Sequence, residues 1–168
     1  MRMFVEISKS SMDTSFPASN AVAITKKVGT RLSLALETVW GLLIDGRSWP
    51  RWSSGLDELV QERSSGLDPD GHDSVGAVRA FRSGRSVTGE RLTELVTDKR
   101  FAYEDAFNFA MKDYRAAIEL EPSAAGGTTI TWSGAWRMRP GFGWLLPLFL
   151  PGVMRRMADD LARYAADA

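Results

Sequence analysis

The stretch Thr128-Thr129-Ile130-Thr131-Trp132-Ser133-Gly134-Ala135-Trp136-Arg137-Met138-Arg139 decides the fold. Side chains of an extended chain alternate between two faces. Ile130, Trp132, Gly134, Trp136 and Met138 therefore share one face, and Thr129, Thr131, Ser133, Ala135 and Arg137 share the other. One side is large and apolar and the other is small or polar, which is the pattern of a strand with one face in a core.

Reading back from it, the same alternation recurs. In 112–122, Tyr114, Ala116, Ile118 and Leu120 alternate with Arg115, Glu119 and Glu121. In 100–109, Phe101, Tyr103, Phe107 and Phe109 share one parity, so three strands present a common aromatic surface. Further strands are expected at 56–64, 75–82 and 87–96. The separators Ser83-Gly84-Arg85, Thr97-Asp98-Lys99 and Ser123-Ala124-Ala125-Gly126-Gly127 are too short for crossovers, so the strands form an antiparallel meander.

Reading forward, Leu150, Val153, Met154, Met157, Leu161 and Tyr164 fall at helical spacing, with Arg155, Arg156, Asp159, Asp160 and Arg163 mainly opposite. A helix over about 152–165, with Pro151 in its first turn, covers the aromatic surface. At the other end, alternation predicts a strand from Ala21 to about Leu32. Ser33 then caps a helix carrying Leu36, Val39, Trp40, Leu43 and Ile44, which Asp45-Gly46 ends with glycine in the left-handed conformation. Trp49-Pro50-Arg51-Trp52 reads as a short helical turn or compact loop packed on the sheet, and residues 1–20 as an extension outside the core.

The whole chain sets bounds on function. Its 168 residues suffice for one domain, and 44% apolar against 25% charged residues is a globular balance. Lys plus Arg equals Asp plus Glu at 21 each, which argues against nucleic acid as a partner. With no cysteine and one histidine, thiolate metal sites, a cysteine nucleophile and a Ser-His-Asp triad lack their parts. His72 lies in Asp68-Pro69-Asp70-Gly71-His72-Asp73, whose glycine and acidic positions do not fit a calcium loop, so a solvated loop is expected. No metal or cofactor is expected. The start shows no signal-peptide core, and the apolar run 141–153 is interrupted by Pro147 and Pro151, so a cytoplasmic protein without a transmembrane segment is expected.

The order of Ser33-Leu34-Ala35-Leu36-Glu37-Thr38-Val39-Trp40, Leu43-Ile44-Asp45, Trp49-Pro50-Arg51-Trp52, Gly76-Ala77-Val78-Arg79, Glu90-Arg91-Leu92-Thr93-Glu94-Leu95, Arg100-Phe101-Ala102-Tyr103 and Gly126-Gly127-Thr128-Thr129-Ile130-Thr131-Trp132 resembles the START-like (SRPBCC) helix-grip superfamily. The likeness is to its polyketide cyclase/dehydrase and lipid-transport members, and it spans residues 21–168. It implies an α+β domain in which a curved antiparallel sheet of six or seven strands grips a long C-terminal helix. It also implies a cavity between them for a lipid, polyketide or similar small molecule. Fold alone does not fix reaction.

Within such a cavity the expected lining is Arg79, Tyr103, Phe107, Phe109, Tyr114, Trp132, Trp136, Met138, Met154 and Met157, each of which also serves as plain core packing. Asp105 shares the parity of Phe101 and Tyr103 and points inward if the alternation holds; a bulge sends it to solvent instead. Arg79 and Glu90, on neighbouring strands, either pair with it or meet a polar group of the ligand. If the enzyme reading holds, Asp105 or Glu90 is the candidate general base of a cyclase or dehydratase, and Tyr103 or Tyr114 its proton donor. The run 142–150 reads as buried core, as a lid, or as an apolar patch for a membrane surface or a homodimer.

Overall fold

The computed structural model describes residues 20–28, 32–108, 111–123, 127–138 and 146–167. The expected extension, nearly all of which is residues 1–19, lies outside that set, as do residues 142–145 and the side chains of 146–149. Strand β1 (Asn20–Val28) leads to helix α1 (Leu32–Ile44), a 3-10 turn (Gly46–Ser48) and the one-turn helix α2 (Trp49–Trp52). Strands β2 (Glu58–Leu59), β3 (Val78–Ser83), β4 (Ser86–Val96), β5 (Arg100–Phe107), β6 (Met111–Pro122) and β7 (Thr128–Met138) follow, and α3 (Leu146–Asp167) closes the described chain.

The strands form one curved antiparallel sheet in the order β1-β7-β6-β5-β4-β3-β2. Six strands meander, and β1 adds beside β7, with Ile24 opposite Trp132. The chain between β1 and β2 therefore has to cross from one edge of the sheet to the other, and α1 and α2 make that crossing over the concave face. Helix α3 packs on β1, β7 and α1.

Three register shifts bend the sheet. In β5, Asp105 pairs with Glu90 but Phe107 with Gly89, so Ala106 is an extra residue. In β4, Thr93 is extra between Leu92, opposite Tyr103, and Glu94, opposite Ala102. In β6, Lys112 lies opposite Arg137 and Arg115 opposite Ala135, and Asp113 takes a positive φ of 51° while pairing with Arg137.

Trp49 occupies the centre of the concave face with no exposed surface. Its ring lies 5.5 Å from Phe81, 5.8 Å from Phe101, 6.0 Å from Trp132 and 6.2 Å from Tyr103. The indole N–H donates to the Leu43 carbonyl at 3.1 Å, so its polar atom is satisfied inside an otherwise apolar contact.

The structure departs from the sequence expectations in several elements. The first strand ends at Val28 and not near Leu32, and α1 starts at Leu32, so Ser33 lies inside the helix and does not cap it. The strand expected over 56–64 shrinks to Glu58–Leu59, because Gln61–Arg63 turn into a 3-10 helix. Helix α3 begins at Leu146 instead of Gly152 and carries Pro151 inside it; Pro147, one residue into the helix, is a start equally compatible with proline's fixed φ. Gly46 does not supply a left-handed cap. A Cβ there would fall 2.9 Å from both Arg79 Nε and Asp73 Oδ2, so glycine is required for room and not for conformation.

Candidate functional site

Helix α1 ends with carbonyls that no later turn can satisfy. Arg79, reaching in from β3, donates Nη1 to the Leu43 carbonyl at 2.8 Å and Nη2 to that of Ile44. Its Nε meets Asp73 Oδ2 at 2.9 Å, with both side chains almost wholly buried. Asp73 also accepts from Gly46 N at 3.2 Å and Asp68 N at 2.7 Å, so its charge is well hydrogen-bonded. The guanidinium lies 5.1 Å from the Phe101 ring centre and 5.6 Å from that of Trp49. Burial pushes the Arg79 pKa down and Asp73 pulls it back up. Arg79 thus clamps the end of α1; the expectation that it pairs with Asp105 or meets a ligand gives way, because each guanidinium nitrogen is engaged elsewhere.

Directly across the ladder from Arg79 stands Glu90, and across from Glu90 stands Asp105. Paired residues in a ladder face the same way, so Asp105 shares Glu90's face, and the bulge at Ala106 begins only beyond that pair. Glu90 Oε2 is buried without a hydrogen-bond partner. Burial raises its carboxyl to about 8, Arg79 opposes the rise and Asp105 adds to it. Glu90 is crowded by protein yet half-buried rather than sealed, and Asp105 is half-buried too.

Two phenols complete the neighbourhood. Tyr103 and Tyr114 hydroxyls lie 3.4 Å apart, and Trp132 Nε1 donates to Tyr103 at 3.2 Å. Burial first, then the neighbouring phenol and Glu90, hold Tyr103 well above the usual range; burial and Glu90 do the same to Tyr114. Both therefore remain protonated and able to donate. Trp136 is buried, and its Nε1 has no partner.

A family model described as polyketide cyclase / dehydrase and lipid transport matches residues 27–166. The chain belongs to that family. No curated protein matches it in sequence. Among solved structures it is similar to a protein from Nitrosospira multiformis, with TM-score 0.67, 19% identity and coverage of 86% of this chain and 94% of that one. A point mutant of norcoclaurine synthase from Thalictrum flavum, in complex with a transition-state analogue, gives TM-score 0.66 at 14% identity over 89% and 96%. A START superfamily protein from Mycobacterium smegmatis gives 0.66 at 11% over 89% and 97%. These likenesses show the fold, a curved antiparallel sheet around a C-terminal helix.

In this member of the polyketide cyclase/dehydrase and lipid-transport family, Tyr103, Tyr114, Trp132 and Trp136 come together on the concave wall with Glu90 and Asp105. Met154 reaches the same wall: a Cβ on Gly134 would lie 3.2 Å from its Cε and 3.5 Å from the Tyr114 ring. Met157 is half-buried one turn on. Phe107 does not join them. The bulge turns it onto the opposite face, where it covers Gly89 so closely that a Cβ there would fall 2.2 Å from the ring, and Arg63 lies 4.5 Å from its centroid. Phe109 and the Met138 side chain lie outside the described residues, although the Met138 backbone pairs with Met111.

Sequence reasoning placed Trp49 on the sheet without seeing it as the floor of the site, and read Asp73 as solvated loop. Pro50, which fixes the backbone beside Trp49, was the available signal for the first. Asp73 had none, since its burial depends on Arg79 arriving from another strand. His72, by contrast, is exposed, as a solvated loop requires.

Proposed function

We propose that the protein binds a small hydrophobic or amphipathic molecule between the sheet and α3, beyond the floor made by Trp49. The single observation that carries this reading is Glu90: a side chain on the concave face that is enclosed by protein, keeps accessible surface, and leaves one oxygen unpaired. A folded protein tolerates such a group where a guest or solvent meets it. Family membership supports the same reading. Tyr103, Tyr114, Trp132 and Trp136 supply the apolar wall, and Met154 and Met157 an adaptable one. Burying ~300 Å² of ligand at ~25 cal/mol per Å² contributes about 7 kcal/mol before association costs, so micromolar affinity is the ceiling for burial alone and tighter binding requires polar contacts.

A second reading, cyclisation or dehydration, draws on the same carboxyl. A group poised near 8 exchanges a proton at neutral pH, and Tyr103 and Tyr114 stand by as donors. Native mass spectrometry of the purified protein, followed by organic extraction, tests the first reading. A noncovalent adduct that is lost in Tyr114→Ala supports it; no adduct, together with no uptake of the neutral dye N-phenyl-1-naphthylamine, refutes it. Turnover of an extracted ligand that Glu90→Gln abolishes while binding persists would favour the second.

A further inference from the structure

The two phenols of the concave wall carry one proton more than they can place among themselves. Trp132 Nε1 has a hydrogen and no lone pair to offer, so at 3.2 Å it donates and the Tyr103 oxygen accepts. The Tyr103 and Tyr114 hydroxyls, 3.4 Å apart, share one further hydrogen bond. Three polar hydrogens thus meet two bonds, and neither hydroxyl makes another hydrogen bond among the described residues. Glu90 is near enough to act on both phenols through space, yet it is bonded to neither. One O–H is left over whichever way the pair is arranged. Hydrogen bonds that run in a single direction polarise one another, which favours the sense from Trp132 through Tyr103 to Tyr114 and puts the spare proton on Tyr114. That side chain is buried where β7 meets α3: a Cβ on Gly134 would lie 3.5 Å from its ring and 3.2 Å from Met154 Cε.

We propose that the Tyr114 hydroxyl is the polar anchor of the site and donates to the carbonyl oxygen of a ketone or ester guest. The inference rests on the binding reading above and deepens it. A buried O–H without an acceptor is destabilising, and a guest that supplies the acceptor relieves it. A carbonyl oxygen accepts without bringing a hydrogen of its own, so it ends the chain and leaves no new donor unmet. Burial and Glu90 hold the Tyr114 phenol well above its usual range, so it remains a donor at neutral pH.

The test is infrared difference spectroscopy of 2-undecanone, isotope-labelled at its carbonyl carbon and bound to the full chain at pH 7. An accepted hydrogen bond lowers the carbonyl stretch, so the band should lie below its position in cyclohexane. Tyr114→Phe keeps the ring and removes the donor, and the band should move back toward the cyclohexane position. Relative to the dye's own affinity in the same variant, 2-undecanone should displace N-phenyl-1-naphthylamine ~2- to 10-fold less well, the scale of one hydrogen bond. A cyclohexane-like band in the unaltered protein overturns the inference, and this reading stands even if the variant fails to fold. A lowered band that persists in folded Tyr114→Phe also overturns it and moves the donor elsewhere, the unpartnered Trp136 Nε1 being the next to test. Dye uptake without measurable 2-undecanone binding sinks only this anchor, whereas absence of dye uptake sinks the binding reading with it.

Discussion

Arg79 faces Glu90 across the β3–β4 ladder, yet its guanidinium turns to Asp73 and to the last carbonyls of α1. One strand position thereby does two things. It ties the crossing helix to the sheet, and it leaves the acidic residue beside it electrostatically under-compensated. Burial is the main cause of the raised proton affinity of Glu90, and Arg79, though it opposes the rise, does not cancel it.

Breaking the clamp should be costly. Arg79→Met strands the Asp73 charge in the interior, and a loss of about 3–5 kcal/mol is expected by urea denaturation. The double variant Arg79→Met with Asp73→Asn should recover part of that loss. Full additivity of the two changes would show that they do not act as a pair.

Glu90 gives a pH signature. Its folded-state value of about 8 exceeds the ordinary 4.5, so between those limits the folded protein holds a proton that the unfolded chain has released. Stability should therefore fall as pH rises through that window and level off above it. Glu90→Gln should flatten the slope, with thermal midpoints measured from pH 5 to 9 as the readout. A slope unchanged in the variant would place the titrating group elsewhere.

Gly89→Ala should destabilise by about 1–3 kcal/mol, because its methyl group collides with the Phe107 ring. Phe107→Ala should relieve the collision, so the double variant should be more stable than the sum of the single changes implies. Circular dichroism during denaturant titration measures the coupling.

Trp49→Ala removes the hub of the aromatic contacts, and a loss of about 3–5 kcal/mol is expected. Near-ultraviolet circular dichroism should lose intensity with it. If the vacated volume opens to the site, uptake of N-phenyl-1-naphthylamine should rise in the same variant.

Much of this architecture was legible in the chain. The period-two pattern from Phe101 to Trp136 and the helical spacing from Met154 to Leu161 are strong local signals, and they placed the concave wall and its cover correctly. The parity of Asp105 with Tyr103 left an inward and a solvent-facing reading open, and the ladder pairs Asp105 with Glu90. What was hidden depends on residues far apart meeting. A single extra residue at Ala106 leaves no local mark, so Phe107 was assigned to the wall it shares by parity and not to the opposite face. Arg79 looked like a ligand contact because its true partners lie 6, 35 and 36 positions away. Gly46 looked like a helix cap because the crowding that demands glycine comes from those same partners.

The extra residue in β5 also marks a place where the sheet tolerates a change in chain length. Because Ala106 is the unpaired residue, its loss would regularise the ladder and still leave Asp105 opposite Glu90 and Phe107 opposite Gly89. A deletion within the regular ladder from Phe101 to Asp105 would instead slip the pairing by one and turn the residues beyond it to the other side of the sheet. Where a residue is lost along this strand thus matters as much as which side chain is exchanged.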